Sequence, residues 1–261
     1  MSEYQENIKH LKTFEEIKSF LETNYNNKSW SCAYHYTTLY SLFCILKEKS
    51  LKLSSFQKSN DVIEYKFVQD FKKYFFCLSR GQKNNFDNIG MWAMYGHLKD
   101  KTNDNDILEY AKKIGIKIYF PKKELIEFIK SKNLKIVLIG YTSFLSNLDN
   151  KIYIGSYSTE KKFPIDKSLA GYLKDNSWSY EKEIRIYVEP DKCDNYDKER
   201  DFGKINLSEQ LIKVLKFYPS PLYSGEECNE IWTNLCNNQN FQEGLDFKFE
   251  ENFYYKQIQN I

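Results

Sequence analysis

Ile114-Gly115-Ile116-Lys117-Ile118-Tyr119-Phe120-Pro121 is the stretch whose reading decides the fold class. Ile114, Ile116, Ile118 and Phe120 alternate with Gly115, Lys117 and Tyr119, the period-two pattern of a half-buried strand. Pro121 stops that strand, because proline has no N–H to give a ladder, and it opens the helix that the spacing predicts over residues 122–132. Ile136–Tyr141 then reads as a second strand. Strand, helix and strand in so short a span, with no regular βαβ rhythm elsewhere, predict the α+β class.

Working outward, residues 8–23 place Ile8, Leu11, Phe14, Ile17, Phe20 and Leu21 at helical spacing. Thr13 and Glu16 make a capping-box pattern, so the helix is expected to begin near residue 7 or near residue 14. Cys32–Tyr36 is a short aromatic strand, and Thr37 or Thr38 can cap a helix that carries Leu39, Leu42, Phe43 and Leu46. Leu51–Leu53 and Tyr74–Ser79 read as strands, with a helix between them capped by Asn60 or Asp61. Met91–Tyr95 reads as a short helix, and Lys99–Asp106 as a charged loop. Ile152–Tyr157, Glu183–Val188, Ile212–Tyr218 and Asp246–Phe253 complete the expected strands, and Gly225–Leu235 is a late helix. The polar segments Gly140–Lys151 and Asp191–Lys204 are expected to be loops. The whole reads as a helical extension over residues 1–30 packed on a single α+β domain over 31–261. That domain is expected to be a mixed, split sheet flanked by helices.

A chain of 261 residues is long enough for a sizeable core without staples. Its 17% aromatic content argues against disorder and for a core built from Phe and Tyr as much as from Leu and Ile. Thirty-eight basic residues against 36 acidic ones leave no global field to draw in nucleic acid or an anionic membrane, although nucleic acid stays open as an acceptor. None of the six cysteines forms a CxxC pair, and His10, His35 and His97 do not complete a zinc pattern, so buried free thiols in a reducing cytoplasm are expected. The polar start of the chain lacks an apolar leader, and no apolar run approaches the ~20 residues a membrane span needs. No dinucleotide fingerprint, P-loop, zincin, nucleophile-elbow or kinase signature is present.

Four clusters can carry chemistry. In Tyr34-His35-Tyr36-Thr37-Thr38, strand alternation sends His35 and Thr37 one way and Tyr34 and Tyr36 the other, just before a helix N-terminus. The pair is either a grip on a hydroxyl-rich ligand or a satisfied core histidine beside a helix cap. In Trp178–Val188, alternation sends Ile184, Ile186 and Val188 inward and sets Glu181, Glu183, Arg185 and Tyr187 in a row on the other face. That row is either a set of cross-strand ion pairs or a cleft wall whose carboxylate stabilises a breaking glycosidic bond. Trp92 and Tyr95 share a helical face and are either core or an aromatic wall for a flat ring. Ser59–Glu64 reads as a helix cap with an acidic first turn. Asp61, Glu64, Glu181 and Glu183 could hold a metal only if they converge.

In order along the chain, these elements resemble one bacterial family, known as domain of unknown function 2971. The resemblance runs through Tyr34–Thr37 with Ile45-Leu46, Leu51–Ser54, Asn60-Asp61 with Glu64, Cys77–Ser79, Met91–Tyr95 and Trp178–Arg185. Val62, Met94 and Ile184 depart from that family's usual residues. The family itself is similar to ADP-ribosyltransferase-fold proteins. The resemblance implies an ADP-ribosyltransferase-like fold with NAD as substrate. It makes His35, Tyr36, Thr37, Ser79, Trp92, Tyr95 and Arg185 the NAD-binding residues, with His35 on the adenosine-side ribose and Trp92 or Tyr95 on nicotinamide. Glu183 becomes the catalytic carboxylate, with Glu181 orienting the acceptor. The implied function is cleavage of NAD and transfer of ADP-ribose to a protein or nucleic-acid acceptor, as in toxins and phage-defence effectors. The alternative is a catalytically silent module that binds a nucleotide-like ligand or a protein partner on the same fold.

Overall fold

The computed structural model describes residues 11, 13–26, 30–56, 74–81, 89–95, 106–142, 151–154, 157–160, 171–197, 201–241 and 248–250. In chain order the helices are α1 (Phe14–Thr23), α2 (Leu39–Glu48), α3 (Ile89–Tyr95), α4 (Ile107–Lys113), α5 (Lys122–Ser131), α6 (Glu209–Ile212) and α7 (Gly225–Asn238). The strands are β1 (Cys32–Thr38), β2 (Ser50–Ser55), β3 (Tyr74–Gly81), β4 (Gly115–Pro121), β5 (Lys135–Leu138), β6 (Gly140–Thr142) and β7 (Lys151–Ile154). They continue as β8 (Tyr157–Glu160), β9 (Leu173–Asp175), β10 (Glu183–Val188), β11 (Asn195–Asp197), β12 (Phe202–Asn206) and β13 (Lys216–Pro219). The chain is α+β, with strands paired mostly antiparallel. It gathers into two compact units, each assembled from separate pieces of sequence.

The first unit takes residues 1–30, 52–80 and 129–205. At its centre β10 pairs antiparallel with β3, Glu183 opposite Ser79 through Val188 opposite Tyr74, and on its other side with β5. All six residues of β10 are buried. Beside β3 come β2, β12 and β11. A smaller sheet runs β8-β7-β6-β9, with β6 and β9 parallel. Helix α1 begins at Phe14, where the Thr13 and Glu16 capping box closes reciprocally. It packs against β5, and Glu22 accepts from Lys135 at 2.6 Å and from the Tyr172 hydroxyl at 2.7 Å.

The second unit takes residues 31–51, 81–128 and 206–261. Its sheet is β1-β4-β13, antiparallel throughout. Thr38, rather than Thr37, caps α2, its side chain accepting from Ser41 N. Ile116, Ile118 and Phe120 are fully buried as the alternation requires, but the strand is not half-buried as expected: Gly115 and Lys117 on its other face are buried as well, with Tyr119 half-buried. Strand β4 ends at Pro121 with α5 following at once. Helices α2, α4 and α7 pack together, and Trp232 of α7 lies 5.8 Å from Phe43 and 6.1 Å from Phe249.

Several expected boundaries move, each for a local reason. Ile136–Tyr141 is two strands, because Ile139 N donates to Glu183 O and Gly140 N to Tyr172 O, passing the chain from one sheet to the other. Ile212–Tyr218 starts later: Ser208 caps the one-turn α6, and the strand begins only at Lys216. Asp191–Lys204 is not all loop, since β11 and the start of β12 form a polar edge ladder there. The charged segment ending at Asp106 leads into α4, which Asp106 caps through Leu108 N. The expected closing strand is a single bridge from Phe217 to Phe249 among the described residues. The helix expected after Asn60-Asp61 lies outside the described residues.

Candidate functional site

In the first unit, Lys182 adopts a left-handed backbone (φ 46°), which turns the chain just before β10. Glu181 therefore belongs to the 3-10 helix Asn176–Glu181 and not to the strand, which corrects the expected four-residue row. The row is also not a cleft wall along its length, since Glu183 is 2% exposed and Arg185 1%. Both are held by ion pairs within the unit. Arg185 donates from Nε to Glu183 Oε1 at 2.5 Å and from Nη2 to Oε2 at 3.2 Å. Lys174, on β9, reaches Glu181 Oε2 at 2.5 Å and Glu183 Oε2 at 3.1 Å. The pairing thus runs along one strand and to a neighbouring sheet, not across the ladder as the simpler of the two expectations requires.

The surroundings complete this cluster. The Arg185 guanidinium lies over the Phe75 and Phe56 rings at 4.8 and 5.5 Å and donates to Gly171 O at 3.3 Å. Tyr187 donates its hydroxyl to the same carbonyl. Gly171 has φ +82°, and a Cβ there would meet Phe56 Cζ at 2.8 Å, so glycine is required on both counts. Glu183 N donates to the buried Tyr141 hydroxyl at 2.7 Å. Ser79 is buried and faces Glu183 in register, one step of alternation from Cys77, which faces Arg185.

Two cations and two carboxyls share this space, and burial penalises each charge. Burial pushes the Glu183 carboxyl up, but Arg185 and Lys174 outweigh it and hold the group well below the usual carboxylate range. Burial and the Glu183 charge push Glu181 up to about 7. Burial drives the Cys77 thiol well above its ordinary value, which leaves it an inert donor to Glu183. One carboxyl is thus fixed as an anion and the other titrates near neutrality.

In the second unit, the register puts Tyr34 opposite Tyr119 and Tyr36 opposite Lys117, with Tyr218 of β13 on the far side of Lys117. One sheet face therefore carries Tyr34, Tyr36, Lys117, Tyr119 and Tyr218. His35 and Thr37 point the other way, opposite Ile118 and Ile116, as alternation requires. His35 is half-buried there and Thr37 buried. Trp92 of α3 meets Tyr36 edge-on, ring centres 5.1 Å apart. Tyr95 closes the same helix.

Lys117 is 7% exposed, and its ammonium lies 4.9 Å from the Tyr34 ring centre, 5.0 Å from Tyr218 and 5.9 Å from Trp92. Burial pulls its pKa down to about 8, with the Cys32 sulfur acting the other way. The Trp92 indole N–H is buried and has no hydrogen-bond partner among the described residues. Gly81 lets the Tyr34 ring come in: a Cβ there would overlap Tyr34 Cε2. Sequence reasoning misses Lys117, which reads as the outward residue of an alternating strand. The available signal is its place between Gly115 and Tyr119 on a strand with aromatic partners.

His35 and Glu183, the two residues on which the enzymatic reading leans, fall in different units. Among the described residues no group of three or more His, Cys, Asp or Glu could hold a metal ion, and Asp61 and Glu64 lie outside them. No helix among them is long and apolar enough to cross a membrane. Compared with family models, curated proteins and solved structures, the chain matches none.

Proposed function

We propose that this chain is an ADP-ribosyltransferase-like protein that binds a nucleotide of the NAD class on the aromatic face of β1, β4 and α3. The observation that carries the reading is the buried indole N–H of Trp92, unmatched by any acceptor among the described residues, beside the Tyr36 edge and the Lys117 ammonium. A buried donor without an acceptor costs about 1–3 kcal/mol, which an acceptor-bearing ligand would recover. Flat rings beside it offer a stacking surface for adenine or nicotinamide. The resemblance through Tyr34–Thr37 and Met91–Tyr95 supplies NAD as the ligand class. Calorimetric titration of the full chain with NAD and ADP-ribose tests this reading. Saturable binding that weakens in Trp92→Phe supports it, and absence of heat with either ligand sinks it.

A second reading, cleavage of NAD, is favoured by the divided carboxyl pair. Groups pushed apart in pKa are the raw material of acid–base chemistry. In that reading Glu181 carries the chemistry and Glu183 does not, because both Glu183 oxygens are engaged by Arg185 and Lys174. Release of nicotinamide on incubation with NAD, abolished in Glu181→Gln, supports it; no release from the wild-type chain removes it.

A further inference from the structure

The aromatic face sets two hydrogen-bond donors close together, and their chemistry says what kind of group a ligand must bring. The Lys117 ammonium and the Trp92 indole both donate, and neither can accept. They lie within 5.9 Å, measured from Nζ to the indole ring centre. The indole N–H is buried and meets no acceptor among the described residues. Tyr34, Tyr119 and Tyr218 on the same face are half-buried, while Lys117 and Trp92 are buried. Cation–π contacts with the rings partly offset the burial that disfavours the ammonium.

We infer that Trp92 and Lys117 form the recognition point for an anionic, acceptor-rich group of the ligand, a phosphoryl oxygen in the first instance. The inference rests on the ligand-binding reading above and deepens it by naming the part of the nucleotide that is held. Lys117 has already given up most of its water on folding, so an anion arriving there meets an ammonium in a low-dielectric setting, where the attraction is several times that at the surface. The indole N–H supplies a directional bond to the same group or to its neighbour. The rings of Tyr34 and Tyr218 lie about the ammonium, so a flat base or nicotinamide would stack beside it, not on it. The site would therefore favour nucleotides over nucleosides.

The experiment compares four probes on the full chain by calorimetric titration: NAD, AMP, adenosine and inorganic phosphate. For the wild-type chain we expect AMP to bind at least about tenfold more tightly than adenosine, the scale of one charge-assisted hydrogen bond. Lys117→Met keeps the stem and removes the charge; it is expected to bring AMP down to the affinity of adenosine. Lys117→Arg, which restores the charge, is expected to recover part of the preference. If Lys117→Met does not fold, Trp92→Phe serves instead, since it keeps a ring and deletes the N–H; it should weaken AMP more than adenosine. Equal binding of AMP and adenosine by the wild-type chain overturns the inference and leaves nucleotide binding standing. Binding of inorganic phosphate as tight as that of AMP points to a free-anion site and overturns the nucleotide assignment. Failure of all four probes removes both.

Discussion

In the first unit Arg185 and Lys174 are buried against two carboxyls; in the second Lys117 is buried against three rings. Both arrangements withdraw a cation from water, yet they surround it with different chemistry. The carboxyl cluster closes on itself: guanidinium and carboxylate meet through two hydrogen bonds, and Arg185 also donates to Gly171 O. The aromatic face holds its ammonium among ring faces, with an indole donor beside it that no acceptor among the described residues meets. The first is built as structure, with Glu181 titrating near neutrality at its edge. The second keeps a directional donor in hand next to a cation, which is what a site for an anionic ligand needs.

The strongest way to break this contrast is Arg185→Met. It strands Glu183 beside a single cation at 2% exposure, and removal of one partner from a buried pair costs about 3–5 kcal/mol. Urea unfolding should show that loss; a change below about 1 kcal/mol would mean the cluster is more open than its geometry, and would return Glu183 to contention as a catalytic group. Glu183→Gln comes next, expected to cost about 2–4 kcal/mol because two buried cations lose their main counter-charge. Loss of any NAD turnover in that variant would then have to be read against its melting curve. Glu183→Gln with wild-type stability and no turnover would make Glu183 the reactive carboxyl and Glu181 its support.

Gly81→Ala sharpens the other side of the comparison. Its new Cβ would overlap Tyr34 Cε2, so the ring must shift from its present place beside Lys117. Overpacking of this kind costs about 1–3 kcal/mol, and nucleotide affinity should fall with it, as titration can measure.

In pH the two regions should move in opposite directions. Glu181 is raised from 4.5 to about 7, so between those values the folded chain keeps a proton the unfolded chain has released. Its contribution makes stability fall as pH rises across that window. Lys117 is lowered from 10.5 to about 8, so above pH 8 the unfolded chain holds a proton the folded chain has lost. Its contribution makes stability rise with pH, read in the lower half of that window before tyrosines ionise. Urea midpoints against pH for Glu181→Gln and Lys117→Met, each compared with the wild-type chain, should flatten one slope each.

Much of the secondary structure was legible because it follows from local rules. The Ile116, Ile118 and Phe120 alternation, the Thr13–Glu16 box and the Pro121 stop are contacts within a few residues, and each appears where the pattern puts it. The alternation of β1 likewise separates His35 and Thr37 from Tyr34 and Tyr36. The site was less legible. Alternation placed Glu183 and Arg185 on one face but not the burial of that face, which depends on Lys174, Gly171 and Phe56 being brought over it from other segments. Glu181 left the row because Lys182 turns left-handed, a conformation that nothing in a Glu-Lys-Glu triplet announces.

The sequence by itself determined the α+β class, most element positions and which residues share a strand face, because sterics and hydrophobic period act over neighbours in the chain. Only the tertiary structure decided which charges are spent. Whether Glu183 is exposed or held in ion pairs, and whether Lys117 is at the surface or buried among rings, depends on partners brought from other segments: Lys174 and Tyr141 for one, Tyr34, Trp92 and Tyr218 for the other. The reason is electrostatic, since the worth of a charge is set by the dielectric and the counter-groups that folding assembles around it.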